Sequence, residues 1–210
     1  MTGQRILGAS AIALLFATSI AIAQAPAPPA SPSPAPTLRV SGTIDSVNGS
    51  TLMLKQKDGS EATVKVADNA QIFGAEPAKI GDIKTGDFIA VGAMPQPDGS
   101  QKAVQVTIFA ESLRGVGEGF HPWDRPNSTM TNATVDTTVA GVDGQVVTVK
   151  YKDGQQKIVI GSDAEIRRYV PSDLSELKSG SVITLPRAQK LPDGTLQTAR
   201  IYVGRGGVKP

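Results

Sequence analysis

Most residues of this chain whose type and spacing could support chemistry lie in one short segment. The single histidine, His121, and the single tryptophan, Trp123, stand two positions apart, and the carboxylates Glu118 and Asp124 flank them. An imidazole with neighbouring carboxylates is a donor set that divalent transition metals accept. His121, Glu118 and Asp124 are therefore the candidate ligands of a metal site.

The sequence lacks the motifs of the common enzyme classes. It has no cysteine and one histidine, and it shows no hydrolase elbow, phosphate loop, dinucleotide fingerprint or paired metal motif. Many aspartates adjoin glycine, as Asp58, Asp143 and Asp193 do, where a carboxylate accepts local backbone hydrogen bonds in a turn. We expect a protein that is not an enzyme and has neither catalytic residues nor a cofactor. A bound divalent transition metal is the alternative.

The same segment carries two large apolar rings beside a glycine-rich stretch. Glycine occupies alternate positions from Gly115 to Gly119, and it lets a backbone pass close to another surface. Phe120 and Trp123 follow, and rings of this size favour burial. We expect residues 112–130 to form a connector whose rings pack in the groove between two domains. In the alternative interpretation, this interface holds a ligand.

Two copies of one sequence pattern surround the connector. The run Val47–Gly59 reappears 95 positions later as Val142–Gly154, and residues 68–72 correspond to residues 162–166. The shared order of turn formers and apolar runs predicts two copies of one small fold.

Each copy is predicted to be a mainly all-β, five-stranded small barrel. In the first copy, alternating apolar and polar residues indicate strands at 39–47, 51–55 and 61–66, joined by tight turns. A short helix or crossover separates them from strands at 88–91 and 103–109. Three strands, a crossover and two strands is the order of an OB-type barrel, with an SH3-like barrel as the runner-up.

The domain prediction is therefore two tandem barrels. The first repeat spans residues 37–111 and the second spans residues 131–204. The clearest helix signal is at 171–178, where Ser172 is the expected cap. Residues 205–210 are expected to form a frayed tail.

Composition argues against nucleic acid as a partner. Aromatic residues make up 4% of the chain, whereas barrels that bind single-stranded nucleic acid stack bases on exposed rings. Phe88, Phe109, Tyr151 and Tyr202 fall in predicted strands and are expected to be packed. A formal charge of +2 gives no long-range attraction to a polyanion. The expected partner is an envelope protein or a small ligand.

The first residues predict export to the periplasm. A basic start containing Arg5 precedes an apolar run, and Ala21–Ala23 supplies the cleavage pattern of a secretory signal peptide. Residues 1–23 are assigned to the signal, with cleavage after Ala23, and residues 24–36 to an Ala/Pro/Ser-rich linker. An uncleaved membrane anchor is the alternative, because the run is near the lower length limit for spanning a bilayer. No membrane span is expected after cleavage.

Three stretches, residues 117–124, 128–135 and 150–154, resemble an exported proteobacterial family of unknown function with small OB-like β-barrel repeats. The resemblance covers nearly all of the mature chain. In family members the histidine directly follows the glycine, whereas here Phe120 intervenes. Similar sequences often carry the automatic label of a metal transporter permease, although no apolar segment after the signal is long enough for a permease span. The resemblance implies, as an alternative function, a metal-binding accessory protein that uses the connector around His121.

Overall fold

The computed structural model describes residues 36–141 and 144–210. The predicted signal peptide and nearly all of the predicted linker lie outside the described residues. The strands are β1 (Thr37–Asn48), β2 (Thr51–Gln56), β3 (Glu61–Pro77), β4 (Phe88–Pro95), β5 (Gln101–Ile108), β6 (Gly119–Pro122), β7 (Thr129–Gly141), β8 (Gly144–Tyr151), β9 (Gly154–Gly161), β10 (Glu165–Ser172), β11 (Val182–Lys190) and β12 (Leu196–Gly204). The predicted all-β barrel class is confirmed. In the described part of the chain, no helix has the length and apolar character needed to cross a membrane.

The local sequence explains the hairpins. Side chains alternate between the faces of a strand, and Ile44, Leu52 and Leu54 are each 1% exposed on the inner face of the first hairpin. Gly49 and Gly59 close the turns at φ values of 57° and 83°, which residues with a Cβ rarely adopt.

The strands close into two five-stranded barrels, and each barrel takes strands from both repeats. In the first barrel, β1, β2 and β3 of the first repeat join β11 and β12 of the second. In the second barrel, β7, β8 and β9 of the second repeat join β4 and β5 of the first. The predicted boundaries 37–111 and 131–204 therefore do not enclose one barrel each, and this corrects the tandem arrangement.

The exchange follows from the length of β3. The change of rhythm after Val66 predicted an irregular crossover, but β3 continues to Pro77. The extension from Ile72 to Pro77 pairs antiparallel with β10, and each extended residue adds about 3.3 Å. We infer that the chain is thereby carried away from its own meander, so that the following hairpin, β4–β5, joins the other barrel.

The β3–β10 contact also relates the two repeats by a pseudo-twofold axis. Ala75 lies opposite Tyr169, and these are equivalent positions, because Ile72 corresponds to Ile166. The parallel pairing of β3 with β12 has its counterpart in the parallel pairing of β10 with β5. The single chain therefore has the arrangement of an exchanged dimer.

Aromatic rings form a continuous row between the barrels. Tyr169 and Tyr202 stack with their centroids 4.1 Å apart, and Phe109 stacks on Tyr169 at 5.7 Å. Phe73 contacts Tyr202 at one end of the row, and Phe88 contacts Phe109 at the other. Burial raises the pKa of Tyr202 to about 12. Phe88, Phe109 and Tyr202 are packed as predicted, but they join the two barrels instead of filling separate cores.

Short 3-10 turns stand where a helix or crossover was predicted between the third and fourth strands of each repeat. They span Ile80–Asp82 and Leu174–Glu176. The second turn is capped by Asp173, whose carboxylate accepts a hydrogen bond from the Ser175 backbone N–H at 2.7 Å. The expected cap, Ser172, ends β10 instead.

The segment 205–210 is folded against the barrels, which corrects the prediction of a frayed tail. Arg167 is 5% exposed and donates a hydrogen bond to the backbone oxygen of Lys209. The Thr184 hydroxyl donates to the backbone oxygen of Pro210 at 3.0 Å. Because both donors come from strands, the composition of the tail did not reveal that it would be ordered.

Arg205 is the main polar anchor of the tail. Its guanidinium forms ion pairs with Glu76 and Glu176 and donates to Ser172 Oγ at 3.1 Å. Gly74 leaves room for it, since a Cβ at that position would lie 2.3 Å from the guanidinium carbon. The hydrogen bond from Arg205 lowers the pKa of Glu176.

Cutting the connector tests the exchange of strands. We insert a protease site after Pro126, in an exposed turn, and cleave the folded protein. The two fragments should stay together in size-exclusion chromatography, because each barrel contains strands from both. Two separate peaks, each with one fragment, would instead indicate tandem barrels.

The Arg205 cluster predicts a pH-dependent loss of stability. Because the folded-state pKa of Glu176 is lowered, its contribution is present above its unfolded pKa of about 4.3 and is lost as the pH falls through the folded value. We expect Arg205→Met to lower the free energy of unfolding by about 1–2 kcal/mol at pH 7 and by less at pH 3. Urea denaturation at both pH values measures this. The exposed Arg187→Met is the control, and an equal loss at both pH values would contradict the assignment.

Candidate functional site

A large groove lies on the outer face of the first barrel. It has a volume of about 960 Å³ and is lined by four lysines, Lys55, Lys57, Lys178 and Lys209. We call it the lysine groove. Its volume is in the range of known ligand sites, roughly 300–1,000 Å³.

Both repeats form the walls of the lysine groove. β1 contributes Ser41 and Thr43, and the turn after β2 contributes Lys57. The start of β11 contributes Val182, and the folded tail contributes Val208. The groove therefore exists only because β11 and the tail, from the second repeat, lie against the meander of the first.

Hydrogen bonds and close packing hold one wall in place. Thr184 is 2% exposed, and its hydroxyl donates a hydrogen bond to the backbone oxygen of Pro210. Because a hydroxyl has one proton to donate, Ser41 is the donor in the 2.8 Å contact between Ser41 Oγ and Thr184 Oγ1. A Cβ on Gly42 would lie 2.7 Å from the Lys55 backbone oxygen, so glycine lets β2 approach β1 here. The wall is thus organised before any ligand arrives.

The charged side chains that line the lysine groove are all lysines. Pro210 also lines it, and its main-chain oxygen accepts a hydrogen bond from Thr184. Within the described part of the chain, none of the four lysines takes part in an ion pair. Lysines clustered in a concave surface attract anions and repel cations.

The connector lies on the second barrel and does not place its rings between the barrels. β6 pairs antiparallel with β7, with Phe120 opposite Thr131. Phe120 was predicted to pack in the groove between the barrels, but its side chain is 40% exposed and lies outside that groove. Leu113, earlier in the connector, is fully buried in the aromatic cluster between the barrels.

Trp123 packs on the second barrel beside the end of β6. Its ring covers Gly92, where a Cβ would lie 2.5 Å from ring carbons. The Arg125 guanidinium lies 5.6 Å from the centre of the ring. Ser128 closes the turn with two hydrogen bonds. Its hydroxyl donates to the backbone oxygen of Arg125 at 2.6 Å, and its backbone oxygen accepts from the backbone N–H of Trp123 at 3.0 Å.

The structure places the three candidate metal ligands along an exposed stretch of the connector. Glu118 Oε1 accepts a hydrogen bond from the backbone N–H of Lys152 at 3.1 Å. His121 in β6 and Asp124 in the following turn are both exposed. Across residues 36–141 and 144–210, no group of three or more His, Asp or Glu side chains is arranged to hold a metal ion. Metal binding at His121 stays a prediction.

No protein-family model, curated protein or solved structure that was compared with the chain gives a match. The family resemblance and the link to metal transport therefore stay predictions as well.

Sequence reasoning missed the lysine groove because its residues are dispersed. Lys55 and Lys57 belong to the first repeat, while Lys178 belongs to the second and Lys209 to the tail that follows it. The only signal was the recurrence of Lys-x-Lys-Asp-Gly in both repeats, which was interpreted as a turn. Its role in a groove depends on which hairpin lies beside it.

The contact between Gly92 and Trp123 yields a spectroscopic prediction. Gly92→Ala forces the ring away, so we expect a red-shifted tryptophan emission and a loss of about 1–3 kcal/mol in the free energy of unfolding. The single tryptophan makes the emission specific to this site. Gly81→Ala is the control, since a Cβ there meets nothing within 4 Å. Unchanged emission from Gly92→Ala would contradict the packing.

Proposed function

We propose that the protein is an exported, non-catalytic binding or scaffolding protein of the cell envelope, and that it binds through the lysine groove. The observation that carries the proposal is the convergence of Lys55, Lys57, Lys178 and Lys209 on one concave surface. Unpaired lysines gathered from both repeats are suited to hold an anionic group.

The hydroxyl chemistry of the groove supports binding over catalysis. A hydroxyl nucleophile is activated by an adjacent base that takes its proton. Here the Ser41 hydroxyl donates its hydrogen bond to Thr184, and the Thr184 hydroxyl donates its hydrogen bond to the backbone oxygen of Pro210. Both hydroxyls therefore serve to fix the wall of the groove.

The interlocked barrels suit a scaffold. Each barrel requires strands from both repeats, and the stacked rings of Tyr169 and Tyr202 join them. Such a body presents its surfaces with little loss of freedom on binding. The chain has no cysteine, so this stability would be available in an oxidising compartment without disulfides.

Export and the OB-type assignment are parts of the same proposal. Export is supported by the signal-peptide pattern in residues 1–23. The OB-type assignment is supported by the strand order, since in each barrel the first meander strand pairs antiparallel with one strand of the exchanged hairpin and the third pairs parallel with the other. This is a closed, five-stranded Greek-key order.

Expression of the full chain in a Gram-negative host tests the proposal. We expect a soluble periplasmic protein whose mass corresponds to a first residue Gln24. Ala23→Asp, which spoils the small residue at the cleavage site, should leave the precursor uncleaved.

Two results would contradict the proposal. If the wild-type protein stayed at precursor mass in the membrane fraction, the proposal that it is exported and cleaved would be wrong. Turnover of a substrate by the purified protein in a broad hydrolase and oxidoreductase screen, abolished by Lys178→Glu, would remove the non-catalytic part.

A further inference from the structure

The pseudo-twofold axis gives the lysine groove a counterpart on the second barrel. Lys57 corresponds to Lys152, and Lys178 corresponds to Lys84. The two places differ in one respect. The connector lies against the counterpart through β6, whereas none of the described strands takes the matching place beside the lysine groove.

The register of the strands establishes which positions correspond. In the first barrel Thr43 of β1 lies opposite Lys55, and in the second barrel Thr134 of β7 lies opposite Lys150. The same two threonines also lie opposite the first residues of β11 and β4. β1 and β7 are therefore superimposed with Thr43 on Thr134.

The connector fills the counterpart with charged groups and hydrogen bonds. Arg114 donates to the backbone oxygen of Gly86 at 2.9 Å and to Thr134 Oγ1 at 3.3 Å. Glu118 accepts from the backbone N–H of Lys152 at 3.1 Å. The connector thus brings two charged groups to the counterpart, the Arg114 guanidinium and the Glu118 carboxylate, and the carboxylate is the one that lies at the repeated lysine.

The connector also adds a strand there. β6 pairs with β7 along Thr129–Asn132, on the side that β8 leaves free. The corresponding stretch of β1, Leu38–Ser41, pairs with β11 on one side, and its pairing with β2 begins at Gly42. Among the described residues, no strand covers the other side of Leu38–Ser41. This open edge adjoins the lysine groove, since Ser41 belongs to both.

Lys57 corresponds in the sequence repeat to Lys152, whose backbone N–H donates to Glu118. The turn that holds Lys57 is one residue longer than the turn that holds Lys152. In the described part of the chain, the Lys57 N–H has no hydrogen-bond partner. The first barrel thus offers an unpaired donor, an unpaired strand edge and four lysines where the second barrel holds β6 and the Glu118 carboxylate that precedes it.

We infer that the lysine groove binds an extended acidic peptide segment of a partner protein, which pairs with the Leu38–Ser41 edge of β1 and places a carboxylate at the Lys57 N–H. The inference rests on the proposed binding function and names its partner. Backbone hydrogen bonds to the edge supply affinity, and the lysines select an acidic side chain.

The lining of the groove favours a peptide over nucleic acid. Binding of a single strand relies on bases stacked on aromatic rings, and the described residues that line the groove include none. The rings of Tyr169, Tyr202 and Phe109 are instead stacked on one another between the barrels.

The connector itself supplies the probe for the test. A labelled synthetic peptide with the sequence of residues 115–124 is titrated into the mature full-length protein and followed by fluorescence anisotropy. We expect saturable binding that weakens with salt, and a peptide with Glu118→Gln should bind about fivefold more weakly. Lys178→Glu should weaken binding by a similar factor, while Lys84→Glu, the same change at the covered counterpart, should leave it unchanged.

Hydrogen exchange locates the bound peptide. The amides of Leu38–Ser41 should gain protection when the peptide binds, and thermal unfolding shows that Lys178→Glu and Lys84→Glu remain folded. Absence of binding, equal affinity of the two variants, or protection elsewhere would overturn the inference. Binding of inorganic polyphosphate without binding of the peptide would also overturn it, in favour of a phosphate ligand. Each of these results leaves the localisation and turnover tests of the proposed function unaffected.

Discussion

The antiparallel pairing of β3 with β10 is the contact on which the rest of the molecule depends. It lies on the pseudo-twofold axis, where Ala75 of one repeat faces Tyr169 of the other. The extension of β3 past Val66 creates this contact and directs the following hairpin to the other barrel. Neither barrel is complete without strands from both repeats, so folding of the two is coupled by construction.

The same contact builds the proposed binding surface. The stacked tyrosines hold the barrels together, and Arg167 and Arg205, which lie beside them in the chain, fix the last residues against the first barrel. The folded tail then forms one wall of the lysine groove. The groove is consequently a product of the exchange, because Lys178 comes from the repeat that does not supply its meander and Lys209 comes from the tail that follows that repeat.

The two barrels share a strand order but differ in what covers their edges. The second barrel receives its own connector, which pairs with β7 and brings Glu118 to Lys152. The first barrel leaves the matching edge of β1 and the matching N–H of Lys57 without a described partner. Duplication therefore supplies the body of the protein, and the difference between the copies supplies the proposed binding surface.

Local patterns were sufficient to predict the all-β class, the repeat, the meanders and their turns, since alternation and glycine at positive φ act over neighbouring residues. They were insufficient to predict the partner of each hairpin, because β4–β5 and β11–β12 occupy equivalent positions in the two repeats. Two features depend on residues distant in the chain. One is the extension of β3 through Phe73 and Ala75, and the other is the folded tail that Arg167 holds. The sequence thus identified the strands, and tertiary packing decided which of them meet and where the four lysines converge.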